Sequence, residues 1–512
     1  MSDVNRTAVQ QILQPVSLYR CCQMCLLSAQ EHLSSILRHT RLPTTVHVEL
    51  FIEAILEVQR IGCLYGPAIA GLLTVWPEES LKMSKLFPEK KIDSLLQATD
   101  DNNCTVLDMI LDGLLNLKSN CRLVHLDLSC VPPSNIFHLP VLFLPETDTL
   151  WDEITDTVLE QGKSFVDDGD DTMESVLSWK LTEISQANAG VSSAYSGPET
   201  VQICLESTVS LTEWVAMIDD IIGLCTQDLS PFRYGFTKLS VDNFYIVDSK
   251  LLKWLLSVIN IEILERLFIY GKSRSIRLVM WELHQDLLRI PNLLVFGLGT
   301  TGPKLHLQLI SPKEPTDADC IQPTEHVLEQ WSHLRNLQLT GLLLTKKINI
   351  WLTSLHNPLH TLSLYACKLD RQDLEYLSQS HHLHSLLHLN LEKNDLRDCG
   401  EEICQVIRAA PQLELLNLRE TKLKLHEKLS VITALHESEK LHTLAMYEQE
   451  DMSSTSGYES MVELACGIRS LKKLYIFPFM YQPFEIFYRE GVERASEMIL
   501  CLNERKDIEL YY

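Results

Sequence analysis

Long apolar runs, paired cysteines and a surplus of basic residues are all missing from this 512-residue chain, and each absence narrows what it can do. No stretch approaches the roughly 18 consecutive apolar residues of a transmembrane helix, so no membrane span is expected. The first residues lack a basic segment followed by an apolar one, so no secretory signal is expected either. The 15 cysteines show no paired spacing, which suits reduced thiols of a cytoplasmic or nuclear protein better than a disulfide framework. Lys and Arg number 44 against 68 Asp and Glu, and a formal charge of −24 argues against direct nucleic-acid binding. Part of that charge is one run, Asp167-Asp168-Gly169-Asp170-Asp171, read as a solvated loop. A Gly-x-Ser-x-Gly elbow, a P-loop and a His-Glu-x-x-His motif are all lacking, so no catalytic residue and no cofactor is expected.

Several short patterns resemble chemistry and are read as structure. Gly297-x-Gly299-x-x-Gly302 follows a strand-like run, but a pyrophosphate would need a helix N-terminus next, and Leu305, Leu307 and Leu309 alternate like a strand. Cys21-Cys22-x-x-Cys25 lacks the second half of a tetrahedral metal site. His381, His382, His384 and His388 cannot all converge from alternating positions and are read as exposed or capping, with no metal. Leu-x-x-Leu-Leu segments at Leu111, Leu252 and Leu383 are read as core.

What is present is a repeat. The frame Leu-x-x-Leu-x-Leu-x-x-Asn/Cys-x-Leu occurs at Leu359-Leu362-Leu364-Cys367-Leu369, at Leu386-Leu389-Leu391-Asn394-Leu396 and at Leu413-Leu416-Leu418-Thr421-Leu423. The starts are 27 residues apart. Weaker copies begin at Leu441 and Leu471, and upstream at Leu334, Leu293, Leu264, Leu229 (with Phe232 and Tyr234) and Leu123. Alternation within each frame predicts a short strand with leucines on one face. The Asn or Cys offers a polar atom to backbone groups at the bend. The remaining ~15 residues suffice for a returning helix, and stacking supplies the core that one repeat cannot bury alone. The expected fold class is therefore α/β, a ribonuclease-inhibitor-type leucine-rich-repeat solenoid, or horseshoe, with a helical N-terminal region.

The expected domains are a helical region over 1–100, a first repeat-like unit over 101–144 and an acidic, partly disordered excursion over 145–200. The solenoid follows over 201–480, with a loop insertion at about 300–326, and a cap and tail over 481–512. Strand positions facing away from the leucines form the expected protein-binding surface. They are Arg266, Phe268, Tyr270, Asn336, Gln338, Thr361, Ser363, Tyr365, His388, Asn390, Glu392, Asn417, Arg419, Tyr447, Lys473 and Tyr475. Aromatics and Arg are the residue types most often found as interface hot spots.

Residues 15–38 read as an amphipathic helix. Within it, Ser17-Leu18-x-x-x-Cys22-x-x-x-Leu26 resembles an elongin-binding box, with Leu18, Cys22 and Leu26 as contacts. Leu42-Pro43-x-x-Val46-x-x-x-Leu50 follows and resembles a cullin-2 box. With the segment from Asn357 through Cys367, Val75-Trp76-Pro77 and Leu474-Tyr475-Ile476-Phe477-Pro478, the chain resembles the PRAME and leucine-rich-repeat-containing protein 14 family. The resemblance implies a substrate receptor of a cullin-2 ubiquitin ligase, with elongin B/C, cullin-2 and an unidentified protein substrate as partners. Members are also linked to repression at nuclear receptors and to damping of NF-κB signalling. The alternatives are a scaffold that sequesters a signalling protein without ubiquitination, and an F-box-type receptor in which Leu42-Pro43 would engage Skp1.

Overall fold

The computed structural model describes residues 42–61, 66–87, 92–99, 103–129, 131, 136, 139, 195–210, 230–244, 249–271, 279–300, 317–446, 461, 464–465, 467–475 and 509–511. They fall into two compact units. One holds the described residues up to Ser207 with those of Trp214–Thr237 and Val258–Asn260; the other holds the remainder. The acidic excursion expected over 145–200 lies outside the described residues up to 194.

The first unit opens on helix α1 (Thr44–Ile61), which starts directly after Pro43. Proline suits that place because it stops a preceding helix and needs no N–H partner of its own. The His47 N–H donates to the Pro43 carbonyl at 3.0 Å. His47, Leu50, Phe51, Ala54, Ile55 and Val58 recur at helical spacing and are buried. They close on Trp76, whose ring meets His47 and Phe51 edge-on at 5.6 and 5.2 Å. Helices α2 (Gly66–Leu73) and α3 (Val106–Leu115) pack beside them, and α3 is opened by a reciprocal Thr105–Asp108 capping box. Strands β1 (Ser80–Lys82), β2 (His125–Asp127) and β3 (Val201–Ser210) pair in parallel, with Leu81 opposite Leu126 and Leu126 opposite Ile203. The 1–100 stretch is therefore not wholly helical. Leu81 is the one buried residue of β1, so the strand is too short to show alternation in the sequence.

The second unit is a solenoid-like α/β array. It takes β4 (Phe232–Phe244) from Lys238 onward, then β5 (Arg266–Gly271), β6 (Val295–Thr300), β7 (Asn336–Thr340), β8 (Thr361–Tyr365) and β9 (His388–Asn390). β10 (Leu415–Asn417), β11 (Thr443–Ala445), β12 (Lys473–Tyr475) and β13 (Glu509–Tyr511) complete it. Spatial order follows chain order in an open sheet, and every one of these pairs is parallel. Parallel neighbours need a crossover rather than a hairpin. Helices α4 (Ser249–Val258), α5 (Asp317–Gln330), α6 (Ile348–Thr353), α7 (Arg371–Ser378), α8 (Gly400–Ala409) and α9 (Leu425–Leu435) provide it. The register sets Leu362 opposite Leu389 and Leu389 opposite Leu416, as the 27-residue period requires. These leucines are buried.

The turn slot behaves as its chemistry demands. Buried Asn394 donates to the Leu364 and Leu391 carbonyls at 2.7 and 2.8 Å and accepts the Leu369 N–H at 3.2 Å. Thr421 Oγ1 donates to the Leu418 carbonyl at 2.7 Å, and Cys367 Sγ lies 3.3 Å from the Leu339 carbonyl. One residue earlier, Ala366, Lys393 and Glu420 adopt φ of 55°, 61° and 53°, the left-handed bend that turns the strand into its loop.

Two expectations are corrected. The loop insertion placed at about 300–326 is helix α5 from Asp317. Thr324, Val327, Leu328 and Trp331 bury at helical spacing. That stripe outweighs Pro323, which removes one internal hydrogen bond. The upstream frame at Leu229-Phe232-Tyr234 is displaced, because the ladder to β5 aligns Leu239 with Leu267 and Val241 with Ile269. Phe236-x-x-Leu239-x-Val241 fits the same frame, and the alternation changes parity between the two. The expected tail also contributes a strand, β13, which pairs with β12.

Candidate protein-binding face

Within the second unit, alternate strand residues turn away from the buried leucines and form a grid. One row reads Lys238, Arg266, Val295, Asn336, Thr361, His388, Leu415, Thr443 and Lys473; the next reads Ser240, Phe268, Gly297, Gln338, Ser363, Asn390, Asn417, Ala445 and Tyr475. Spacing across the rows is the strand separation of about 4.8 Å. The expected surface residues of β5, β7, β8, β9, β10 and β12 all occupy outward positions. Tyr447 lies outside the described residues.

Neighbouring grid residues bind one another. Glu392 Oε2, nearly buried, accepts from Asn417 Nδ2 and from Arg419 Nη2, each at 2.8 Å. Asn390 Nδ2 donates to Ser363 Oγ at 3.2 Å, while its carbonyl oxygen accepts the Glu392 N–H at 3.0 Å. Lys393 Nζ stands 5.2 Å from the centroid of the Tyr365 ring. The Tyr365 hydroxyl, as a hydrogen-bond partner, and the Glu420 carboxylate hold this ammonium above its ordinary pKa. Glu392 is thus a clamp within the face rather than an open contact.

The sequence reading missed Lys238, Ser240 and Asp242 on β4, because the displaced frame hid them. Gly297 and Gly299 lie in the paired strand β6 rather than in a phosphate loop, in keeping with the sequence reading. The histidines separate: His381, His384 and His388 are exposed, but His382 is buried in a 3-10 turn (His381–Ser385). Its Nε2 lies 2.9 Å from the Leu352 carbonyl, and burial drives its pKa down to about 4. Among the described residues no group of three or more His, Cys, Asp or Glu could hold a metal ion, and no helix is long and apolar enough to cross a membrane. The leucines at 111, 114, 252, 255, 256, 383 and 386 are buried.

The N-terminal boxes divide. Leu18, Cys22 and Leu26 lie outside the described residues. Of the second box, Leu42 and Val46 are half-buried and Pro43 is exposed, whereas Leu50 faces the interior of the first unit.

Residues 310–503 match the family model described as the PRAME C-terminal domain. Over that segment the chain is similar to the PRAME family. No curated protein matches it. The PRAME C-terminal match takes in α5 to α9 and β7 to β12, so it covers the part of the grid from Asn336 to Tyr475. That likeness supports a leucine-rich-repeat-type protein-interaction role.

Proposed function

We propose that this chain is a PRAME-family protein and the non-catalytic substrate-recognition subunit of a cullin-2–elongin B/C ubiquitin ligase. Its second unit would be a ribonuclease-inhibitor-type leucine-rich-repeat horseshoe that holds a protein substrate on the concave strand face. The observation that carries this reading is the PRAME C-terminal match over strands whose outward rows are mostly polar or aromatic. The Leu42-Pro43 box supports the ligase half, because a helix begins at Thr44 and leaves Leu42 and Val46 half-exposed. Leu50 is buried within the first unit, so Leu42 and Val46 would carry the contact. Transfer chemistry would reside on partner subunits, in cytoplasm or nucleus.

Affinity purification of the full chain followed by mass spectrometry tests the assembly. Elongin B/C with cullin-2 is the expected set. Skp1 with cullin-1 would mark an F-box-type receptor, and neither set would leave the sequestering scaffold. Leu18→Ala with Cys22→Ala should weaken elongin C binding by about 2–4 kcal/mol, roughly 30- to 1000-fold, with the far-ultraviolet circular dichroism unchanged. Undiminished capture of elongin C by this variant refutes the box.

A further inference from the structure

Strand β6 is unlike its neighbours on the outward face. Of its three outward positions, Val295 is followed by Gly297 and Gly299, and the register sets these glycines beside Phe268 and Tyr270 on one side and Gln338 and Thr340 on the other. A Cβ on Gly297 would stand 2.3 Å from Phe268 Cδ1. One on Gly299 would stand 2.8 Å from Tyr270 Cδ1 and 2.7 Å from Thr340 Cβ. The two rings therefore lean over bare backbone, where any larger residue would push them off. Glycine within a strand weakens it and marks a close approach; here the approach is made by the two rings. They are nearly parallel, at 13° with centroids 6.2 Å apart, and each is half-buried on the side away from the leucine core.

Charge distinguishes the two ends of this platform. Lys238 Nζ stands 6.0 Å from the Phe268 ring centroid, and Arg266 follows on the same row, so that end already has its cations. Beside Tyr270 the sheet carries Asp242, at an irregularity in the ladder between Val241 and Phe244. Such bulges re-aim side chains next to functional sites. Burial raises the Tyr270 phenol pKa, and the Asp242 charge adds to it, so the carboxylate and the ring share one environment.

We infer that the Phe268–Tyr270 platform is the anchoring subsite of this face and takes an arginine side chain from an extended basic segment of the partner protein. The guanidinium stacks on the Tyr270 end and meets the Asp242 carboxylate. This rests on the reading of the strand face as the substrate surface. A guanidinium is planar, matches a carboxylate with its fork and is attracted to the negative face of an aromatic ring. The chain's charge of −24 draws in a basic segment and repels a phosphorylated or nucleic-acid ligand.

The test uses the full chain and a fluorescein-labelled peptide of repeated Ser-Gly-Arg units, with matched peptides carrying lysine or citrulline, read by fluorescence anisotropy. The arginine peptide is expected to bind, the lysine peptide more weakly, and the citrulline peptide not measurably. Tyr270→Leu and Asp242→Asn should each weaken arginine-peptide binding by about 3- to 30-fold, with unchanged thermal unfolding. No binding of the arginine peptide, equal binding of the citrulline peptide, or wild-type affinity in both variants overturns the proposal. Elongin C capture by the same variants keeps the two readings apart. Its retention when peptide binding fails removes the platform alone; its loss from wild type with peptide binding intact removes the ligase reading alone.

Discussion

Asn394 satisfies three backbone groups with one side chain at the turn after β9, and all of its partners are buried. Replacing it with alanine leaves two carbonyls and one N–H without a partner, at about 1–3 kcal/mol for a buried unsatisfied group. Asn394→Ala should therefore lower unfolding stability by about 2–4 kcal/mol, seen as a reduced urea midpoint at constant m-value. Asn394→Cys should cost less, because Cys367 fills the same slot one repeat earlier with its thiol 3.3 Å from a carbonyl. Equal losses for the two would mean that volume, not hydrogen bonding, fills the slot. This residue is legible in the sequence, since Cys367, Asn394 and Thr421 recur in register. The burial of His382 is not, because nothing in its neighbours marks which of four clustered histidines turns inward.

At the scale of an element, the starts of α7 and α9 are each tied to the repeat before by one carboxylate. Glu427 in the first turn of α9 accepts the Lys424 N–H at 2.9 Å and, across the repeat, the Gly400 N–H at 3.0 Å. Asp373 in α7 does the same with the Asp370 and Lys346 N–H groups, each at 3.0 Å. Gly400 makes room for this, because a Cβ there would stand 2.7 Å from Glu427 Cβ. An exposed helical Gly→Ala normally stabilises by about 1 kcal/mol. Gly400→Ala should reverse the sign and destabilise by about 1–3 kcal/mol through overpacking, which thermal unfolding would detect; a raised Tm would show that the staple yields freely. The period told where strands and helices fall wherever leucine density was high, from Leu334 to Leu423. It failed where aromatic residues replaced leucine across a parity change in β4, and where polar residues hid the buried stripe of α5. The aromatic platform was half legible: Phe268 and Tyr270 stand out as outward aromatics, but the glycines that seat them matter only through cross-strand register.

For the molecule as a whole, acid stability turns on the same kind of residue in each unit. His47 in the first unit has Nε2 2.8 Å from the Leu72 carbonyl, and burial lowers its pKa. His382 in the second is held at about 4 by burial, with the neighbouring His381 also lowering it. Both depressions mean that the unfolded chain binds more protons than the folded one below the ordinary histidine pKa of about 6.5. Stability is thus complete above that value and declines as pH falls toward 4, by about 2–3 kcal/mol for His382 at pH 4.5. Asp373 acts in the opposite sense. Burial raises its pKa, so the native carboxyl gains protons more readily on acidification and cannot cause that loss. Hydrogen exchange between pH 7.5 and 4.5 separates the contributions by place. His382→Gln should flatten the pH dependence of protection around α7 and β9, and His47→Gln that of α1, with glutamine able to donate to the same carbonyls. An unchanged pH slope at α7 and β9 in His382→Gln would assign the acid sensitivity to carboxylates instead.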